Sequence, residues 1–335
     1  MRVLEVGGYA AGYAGRLFVR AGFDVLRLET EAPPAWASAE AMTSFLHAGK
    51  QRLRQPDQLA ALAASVDIVI CEGARGQDLL ALGFDDWETR VKTAITPFGR
   101  TGPKSDWLAT PSTLYAMGGY TYLMGDAGRA PLTLPGHYLE FQTGAVAYST
   151  AMAAHLHASR VSADIGMLET LMSLSQFTTV MWHCAGEIRE RHGSDFWSVA
   201  PSDLYRCKDG WVYCNVVPTF WDPFIALLGV PELVVDPRFE TGDSRKAHRQ
   251  ELKQIIATAM LTLTRAELDE RAETYRVPMG VVRTLDQVLV EAHLEARAFW
   301  ETVTAENGSP VRSPSIPFRI EGRPSSSFGV GEVRP

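Results

Sequence analysis

The sequence predicts an α/β protein built on a parallel, doubly wound sheet, with a region of different texture in its second half. Three observations carry this. Short apolar runs at residues 3–6, 25–28, 66–71 and 92–96 alternate with helical stretches, the signature of a chain of βαβ units. From Pro201 onward the pattern changes to a hairpin followed by helices. Between these regions, Ala163-Asp-Ile-Gly-Met-Leu-Glu169-Thr170 reads as a short strand that delivers an acid to a helix start.

The elements follow in order. Val3-Leu-Glu-Val6 and Val25-Leu-Arg-Leu28 flank a helix over 11–21, a βαβ opening. A short helix over 57–64 leads into the strand 66–71, and a strand over 92–96 precedes a Pro-Phe-Gly turn. An Ala-rich helix spans 140–158, and Leu168, Leu171, Met172 and Leu174 repeat at helical spacing in a helix expected over 169–187. Residues 204–213 form a hairpin around Lys208-Asp-Gly210, since Asp-Gly is a strong turn signal. Helical patterns cover 221–228 and 249–260, and the chain after Arg297 is rich in Pro, Ser and Gly.

Composition limits the function. The 335 residues are 46% hydrophobic and 21% charged, with net charge −7, as in a globular protein with a substantial core. No basic cluster exists, so nucleic acid is not an expected partner. No apolar run approaches the roughly 20 residues of a membrane span. Cys71, Cys184, Cys207 and Cys214 have no CxxC spacing and read as reduced thiols in a cytoplasmic protein. No metal site is expected: His155 and His157 are two apart in a helix and face different directions.

Gly7-Gly-Tyr-Ala-Ala-Gly12 superficially resembles a dinucleotide turn, with Glu29 after the second strand, but the middle glycine of G-x-G-x-x-G falls at Tyr9. A tight turn in a fold that binds another ligand is the better reading. Glu169 and Asp164 lie around the later strand–helix junction. Open α/β sheets bind ligands at that edge, and a helix start favours negative charge. On these residues alone, helix capping or dipole stabilisation is the better reading of either acid.

Motifs distributed over the chain resemble the class III CoA-transferase (CaiB/BaiF) family. They include Ala21-Gly-Phe-Asp-Val-Leu-Arg-Leu-Glu29, His47-Ala-Gly-Lys-Gln-Arg52, Phe98-Gly-Arg-Thr-Gly-Pro103 before Asp106-Trp107, and Gly136-His-Tyr-Leu-Glu-Phe-Gln-Thr-Gly144. Further along are Pro201-Ser-Asp-Leu-Tyr-Arg-Cys-Lys-Asp-Gly210, Asp236-Pro-Arg-Phe239 and Arg276-Val-Pro-Met-Gly-Val-Val.

The resemblance implies a Rossmann-like large domain from residues 1–190 and 297–335, and a smaller α+β middle domain from 200–296. It implies an interlocked homodimer or a hetero-oligomer with a homologous subunit. It also implies an acyl-CoA:carboxylate CoA-transferase, with acyl-CoA and a small carboxylic acid as partners. Coenzyme A is then a co-substrate, with no permanently bound cofactor. The family's nucleophilic aspartate, which forms a mixed anhydride with the acyl group, aligns with Glu169. Asp164 aligns with an acid of the family's racemases, whose upstream histidine is missing from Ala109-Thr-Pro-Ser-Thr-Leu-Tyr-Ala-Met-Gly118. Arg27, Lys50 and Lys104 match basic positions and are expected to contact CoA phosphates. The turn reaching Gly12 is expected to line the site and supply oxyanion donors.

The chain also departs from the family. Ala10 replaces a glutamine of the first turn, Ala158-Ser-Arg-Val-Ser162 stands where a Gly-rich-Gln segment is usual, and Gly193-Ser-Asp-Phe-Trp-Ser-Val199 replaces a glycine-run loop. The segments after Glu29 and near Glu72 are short. These departures keep open a catalytically silent partner subunit or CoA-ester binder, or a changed, isomerase- or racemase-like reaction. Trp107, Tyr138, Phe196 and Trp197 are candidates for an acyl pocket or for core.

Overall fold

The computed structural model describes residues 1–29, 40–54, 58–157, 159–318, 328–331 and 333–334. Asp57, at the expected start of a helix, and Ala158 lie outside them. The chain forms two compact units. The first comprises Met1–Thr121, Thr133–Arg189 and Ala292–Pro335, and the second Tyr122–Leu132 and Glu190–Glu291.

The main sheet of the first unit takes its first six strands in chain order from Arg2–Val6 (β1), Asp24–Leu28 (β2), Gln51–Leu53 (β3), Ile68–Glu72 (β4), Val91–Thr96 (β5) and Val161–Gly166 (β6). Together with the C-terminal strand Val333–Arg334 they form one parallel sheet. Its order is C-terminal strand, β3, β2, β1, β4, β5, β6. The chain builds outward from β1 to β3 and then resumes with β4 on the other side of β1. The ends of β1 and β4 therefore flank the topological switch point, where open α/β sheets place their ligand crevice.

Strands covered on both faces read as unbroken apolar runs, as in Ile68-Val-Ile-Cys71, all of it buried. On one face Val3, Val25, Ile68 and Ile95 pack with Ala10, Ala14 and Phe18 of the first helix (Tyr9–Arg20) and Ala147 and Ala151 of the long helix Tyr138–Leu156. Small residues let these helices approach closely: a Cβ on Gly144 would stand 2.5 Å from the Ala10 carbonyl oxygen. The other face packs Leu4, Leu26 and Val69 against Ala63, Leu79, Phe84 and Trp87.

The helix expected over 169–187 is two helices, Met167–Ser173 and Gln176–Ala185. The Ser175 hydroxyl donates to the Met172 carbonyl at 2.7 Å, a local bond that competes with helix continuation. The strand also ends sooner than the alternation indicated, at Gly166, so Glu169 is the third helical residue rather than the junction. β3 and the helix Pro111–Met117 are too short to stand out in the sequence pattern.

The second unit has its own core. Strands Ser202–Cys207 (β7) and Gly210–Asn215 (β8) pair as an antiparallel hairpin with Cys207 opposite Gly210, and Met279–Val281 (β9) adds to β8. The helices Trp221–Leu228 and Arg249–Met260 match the sequence reading and bury Phe224, Leu227, Leu252 and Ile256. Thr241 and Thr264 cap helices with reciprocal side-chain bonds.

Candidate active site

The C-terminal edge of the parallel sheet presents two glutamates at strand–helix junctions. The first is Glu72, the last residue of β4. Its Oε2 accepts the Ala11 N–H at 2.8 Å, within the first turn of the helix Tyr9–Arg20. The glycines preceding that helix are there for this approach. A Cβ on Gly7 (φ +119°) would lie 2.5 Å from the Glu72 carbonyl oxygen, and one on Gly8 would lie 2.7 Å from Glu72 Oε1. Burial, reinforced by Glu140, pushes the Glu72 carboxyl up to about 7, against the lowering effect of the Ala11 and Ala10 amides. The position that a phosphate would take in a dinucleotide turn is thus filled by the protein's own carboxyl group.

Beneath this turn lies a buried charge network. Glu5, fully buried on β1, pairs with Lys50 at 2.5 Å and with Arg27. Lys50 also donates to the Gly12 carbonyl at 2.7 Å, and Arg27 to that of Gly7 at 3.2 Å. Lys50 is 3% and Arg27 8% exposed. Burial lowers the Lys50 ammonium to about 8, and burial followed by Lys50 holds the neighbouring His47 imidazole well below its ordinary range. The expectation that Arg27 and Lys50 contact CoA phosphates meets a physical obstacle here: both cations face inward and neutralise Glu5, which would otherwise be an unpaired buried charge. Gly12 is buried as well, with its carbonyl turned to Lys50. The oxyanion donors expected from its turn meet the same obstacle, since the Ala11 and Ala10 amides already serve Glu72.

A polar group that the sequence reading missed adjoins Glu72. His137 Nδ1 is 3.2 Å from Glu140 Oε1, and the His137 ring lies 4.0 Å from that of Tyr9. Burial raises the Glu140 carboxyl, and burial followed by Glu140 takes the Tyr9 hydroxyl to about 12. The signal for Glu72 was an acid one residue beyond a strand read as ending at Cys71. Glu140 was hidden as an ordinary member of a helix start.

The second junction is open. β6 ends at Gly166, and the helix Met167–Ser173 carries Glu169, which is exposed, in its first turn. This junction is tied to the loop after β5. The Leu168 amide donates to the Pro97 carbonyl at 3.0 Å, and the Arg100 amide to Asp164 Oδ2 at 2.9 Å. The Thr170 hydroxyl bonds the Gly166 carbonyl at 3.1 Å, and the Tyr120 hydroxyl bonds that of Leu171 at 3.2 Å. The structure therefore brings Asp164 and Glu169 to the same loop; both are exposed, and Asp164 is engaged to the loop backbone. An exposed carboxylate on a firmly anchored turn is suited to nucleophilic attack on an acyl carbon.

Lys104 is half-buried in the loop after β5, with its ammonium 3.4 Å from the Trp107 ring centroid. Trp107 and Tyr138 are 53% and 64% exposed, and both belong to the first unit, whereas Phe196 and Trp197 are half-buried residues of the second. Among the described residues no His, Cys, Asp and Glu group could hold a metal ion, and no helix is long and apolar enough to cross a membrane.

Comparison with known proteins places this site in context. The model of CoA-transferase family III matches residues 1–328. The chain is 30% identical over 367 residues to succinyl-CoA–D-citramalate CoA-transferase of Chloroflexus aurantiacus, covering 99% of this chain and 89% of that protein. It is 26% identical over 375 residues to succinate–glutarate CoA-transferase of Agrobacterium fabrum, covering 100% and 93%. Its fold matches the crystal structure of a CaiB/BaiF family protein from Brucella suis with a TM-score of 0.84 at 19% identity, over 100% of this chain and 94% of that one.

Proposed function

The chain belongs to CoA-transferase family III and is a CoA-transferase, and from that premise we propose that Glu169 is its nucleophile, moving CoA from an acyl-CoA to a free carboxylic acid. The observation that carries this reading is an exposed carboxylate on an anchored turn at the C-terminal sheet edge, while the neighbouring acids Glu72 and Asp164 are engaged by backbone amides.

The steps balance without an added proton. The Glu169 carboxylate attacks the thioester carbonyl carbon, and the carbon–sulfur bond breaks to leave a mixed anhydride and a CoA thiolate. The thiolate attacks the glutamyl carbonyl, expelling the donor acid as its carboxylate and leaving CoA as a thioester on Glu169. The acceptor carboxylate then attacks that thioester, CoA leaves again, and the thiolate takes the acyl group of the second anhydride, which regenerates Glu169. Coenzyme A is a co-substrate throughout. The relatives named above act on succinate, glutarate, succinyl-CoA or D-citramalate, so the substrates proposed first are short dicarboxylic acids and their CoA esters. Lys104 is the proposed phosphate contact. Intact-protein mass spectrometry after incubation with succinyl-CoA is expected to show a covalent adduct that is missing in Glu169→Gln. Normal turnover by that variant would reject the nucleophile.

One observation favours a second reading, a silent partner subunit. Arg27 and Lys50 are committed to Glu5, which leaves fewer cations for CoA phosphates. That reading expects weak retention of CoA esters with neither adduct nor turnover.

We also propose a homodimer, with pairing to a homologous subunit as the alternative that light scattering and co-purification would separate. Apolar side chains exposed on and beside the two helices after β6, among them Leu174, Val180 and Trp182, support self-association. The domain division at 1–190 with 297–335 and 200–296 remains a proposal that limited proteolysis would test. Four cysteines without disulfides support a cytoplasmic location, which cell fractionation would test.

A further inference from the structure

Gly166 has ordinary extended backbone angles, φ −83° and ψ 129°, that any residue can adopt. Its glycine is therefore not required by the chain path, and what matters is the missing side chain. A Cβ built there would stand 3.1 Å from Glu169 Oε2, 3.3 Å from Glu169 Cδ and 3.2 Å from the Gly99 amide nitrogen. The Glu169 side chain thus turns back over the strand end, and its carboxylate lies beside the space that a larger residue would fill.

The far wall of that space is also fixed. Gly99 sits at φ +80° in the loop after β5, a conformation that L side chains rarely adopt, and a Cβ on it would be 3.7 Å from Asp164 Oδ2. Asp164 accepts the next amide, that of Arg100, at 2.9 Å. The Arg100 guanidinium in turn pairs with Asp85 at 2.5 Å. The Gly99–Arg100 backbone is therefore held between the two carboxylates, anchored to Asp164 on one side and facing Glu169 on the other.

We infer that Gly166 and the Gly99–Arg100 backbone form a niche that holds the Glu169 carboxylate back against the sheet edge, which makes Gly166 a positioning residue for the nucleophile. Glutamate carries one methylene more than aspartate, and a straight side chain would displace the attacking oxygen outward by about the length of a bond. Folding back into the niche keeps the oxygen near the strand end, and a displacement of about 1 Å is enough to matter for near-attack geometry. Asp164 acts through the loop, as its anchor. The inference rests on the proposed role of Glu169.

The test is Gly166→Ala, made in the wild-type and Glu169→Asp backgrounds. The backbone angles suit alanine, but its methyl group would press on the held Gly99 amide, so the melting temperature is expected to fall slightly while the protein still folds. The carbon-13 carboxyl resonance of Glu169, assigned with Glu169→Gln, is expected to shift on addition of the methyl group. The rate of adduct formation from succinyl-CoA should fall at least tenfold in the Glu169 protein. It should change less than about twofold in the Glu169→Asp protein, whose shorter side chain does not reach the niche. An unmoved Glu169 resonance, or equal losses in both backgrounds, would overturn the niche. If the wild-type protein forms no adduct while the resonance still shifts, the niche stands and the nucleophilic role fails.

Discussion

The two strand–helix junctions at the sheet edge carry the same residue type and have opposite fates. At the end of β4, Glu72 is drawn into the fold, its carboxylate on the Ala11 amide and two glycines pressed against it. After β6, Glu169 sits in the first turn of the next helix and faces solvent. Charge does not separate these cases. The separation comes from how closely the neighbouring backbone approaches: Gly7 and Gly8 close over one acid and leave it half-buried, whereas Gly166 leaves a shallow space that the other acid only borrows. The topological switch point, where this architecture usually takes ligand, is the sealed junction here.

The comparison breaks first on activity. Glu169→Gln is expected to lower CoA transfer by roughly 10³-fold or more, as loss of a covalent nucleophile does, while its melting temperature stays close to wild type because the residue is exposed. Transfer assays with succinyl-CoA and glutarate, run beside thermal denaturation, check both halves. Glu72→Gln should show the reverse pattern, with its main effect on stability.

The charge network beneath the sealed junction carries the next largest effect. Glu5→Ala would leave Lys50 as a buried, unpaired cation and Arg27 with Glu29 alone, a loss on the order of 3–5 kcal/mol. Urea denaturation measures it. A loss under 1 kcal/mol would mean that both cations reach solvent, and it would restore them as candidates for phosphate binding.

The sequence made the open junction legible and hid the sealed one, for a physical reason. Strands β1, β2, β4 and β5 and the hairpin of β7 and β8 follow from local apolar periodicity and turn chemistry, and so does the acid after β6. The inward turn of Arg27 and Lys50 does not, because it depends on Glu5, a carboxylate buried in a central strand 22 and 45 residues away in the chain. A sequence pattern treats a charged residue in a strand as half-exposed, and only tertiary pairing shows otherwise. The break at Leu174 and Ser175 was lost because Leu168, Leu171 and Leu174 continue the helical spacing across it.

Glu72 offers a sharper version of the comparison through pH. Its carboxyl titrates at about 7 in the folded protein against an ordinary value of 4.5. The folded state thus holds a proton that the unfolded state has released between those values. Stability from this group is fully present below about pH 4.5 and is lost as pH rises to about 7. The shift corresponds to about 3 kcal/mol. Glu72→Gln removes the titrating group and should flatten that part of the stability–pH profile, so the variant gains on wild type from pH 5 to pH 7. Parallel slopes for the two proteins would place the Glu72 carboxylate in contact with water after all.

The smallest expected effect concerns the remaining cation. Lys104 is the one of the three expected phosphate contacts whose charge is not committed to Glu5, and its ammonium already rests over the Trp107 ring, an attraction worth about 0.5–1 kcal/mol at an exposed site. A single phosphate contact from such a position adds on the order of 1 kcal/mol, so Lys104→Ala should raise KM for the CoA ester about fivefold. The kcat should hold within twofold, because a contact made equally in ground and transition states contributes only to binding. Salt should erase the difference, since a partly exposed charge is screened over about 10 Å at 0.1 M. Arg27→Ala supplies the contrast, as removing an inward-facing partner of Glu5 should lower stability and leave the salt dependence of KM unchanged. If instead Arg27→Ala changes that salt dependence and Lys104→Ala does not, CoA reaches the sealed junction, and the roles assigned to the two edges of the sheet exchange.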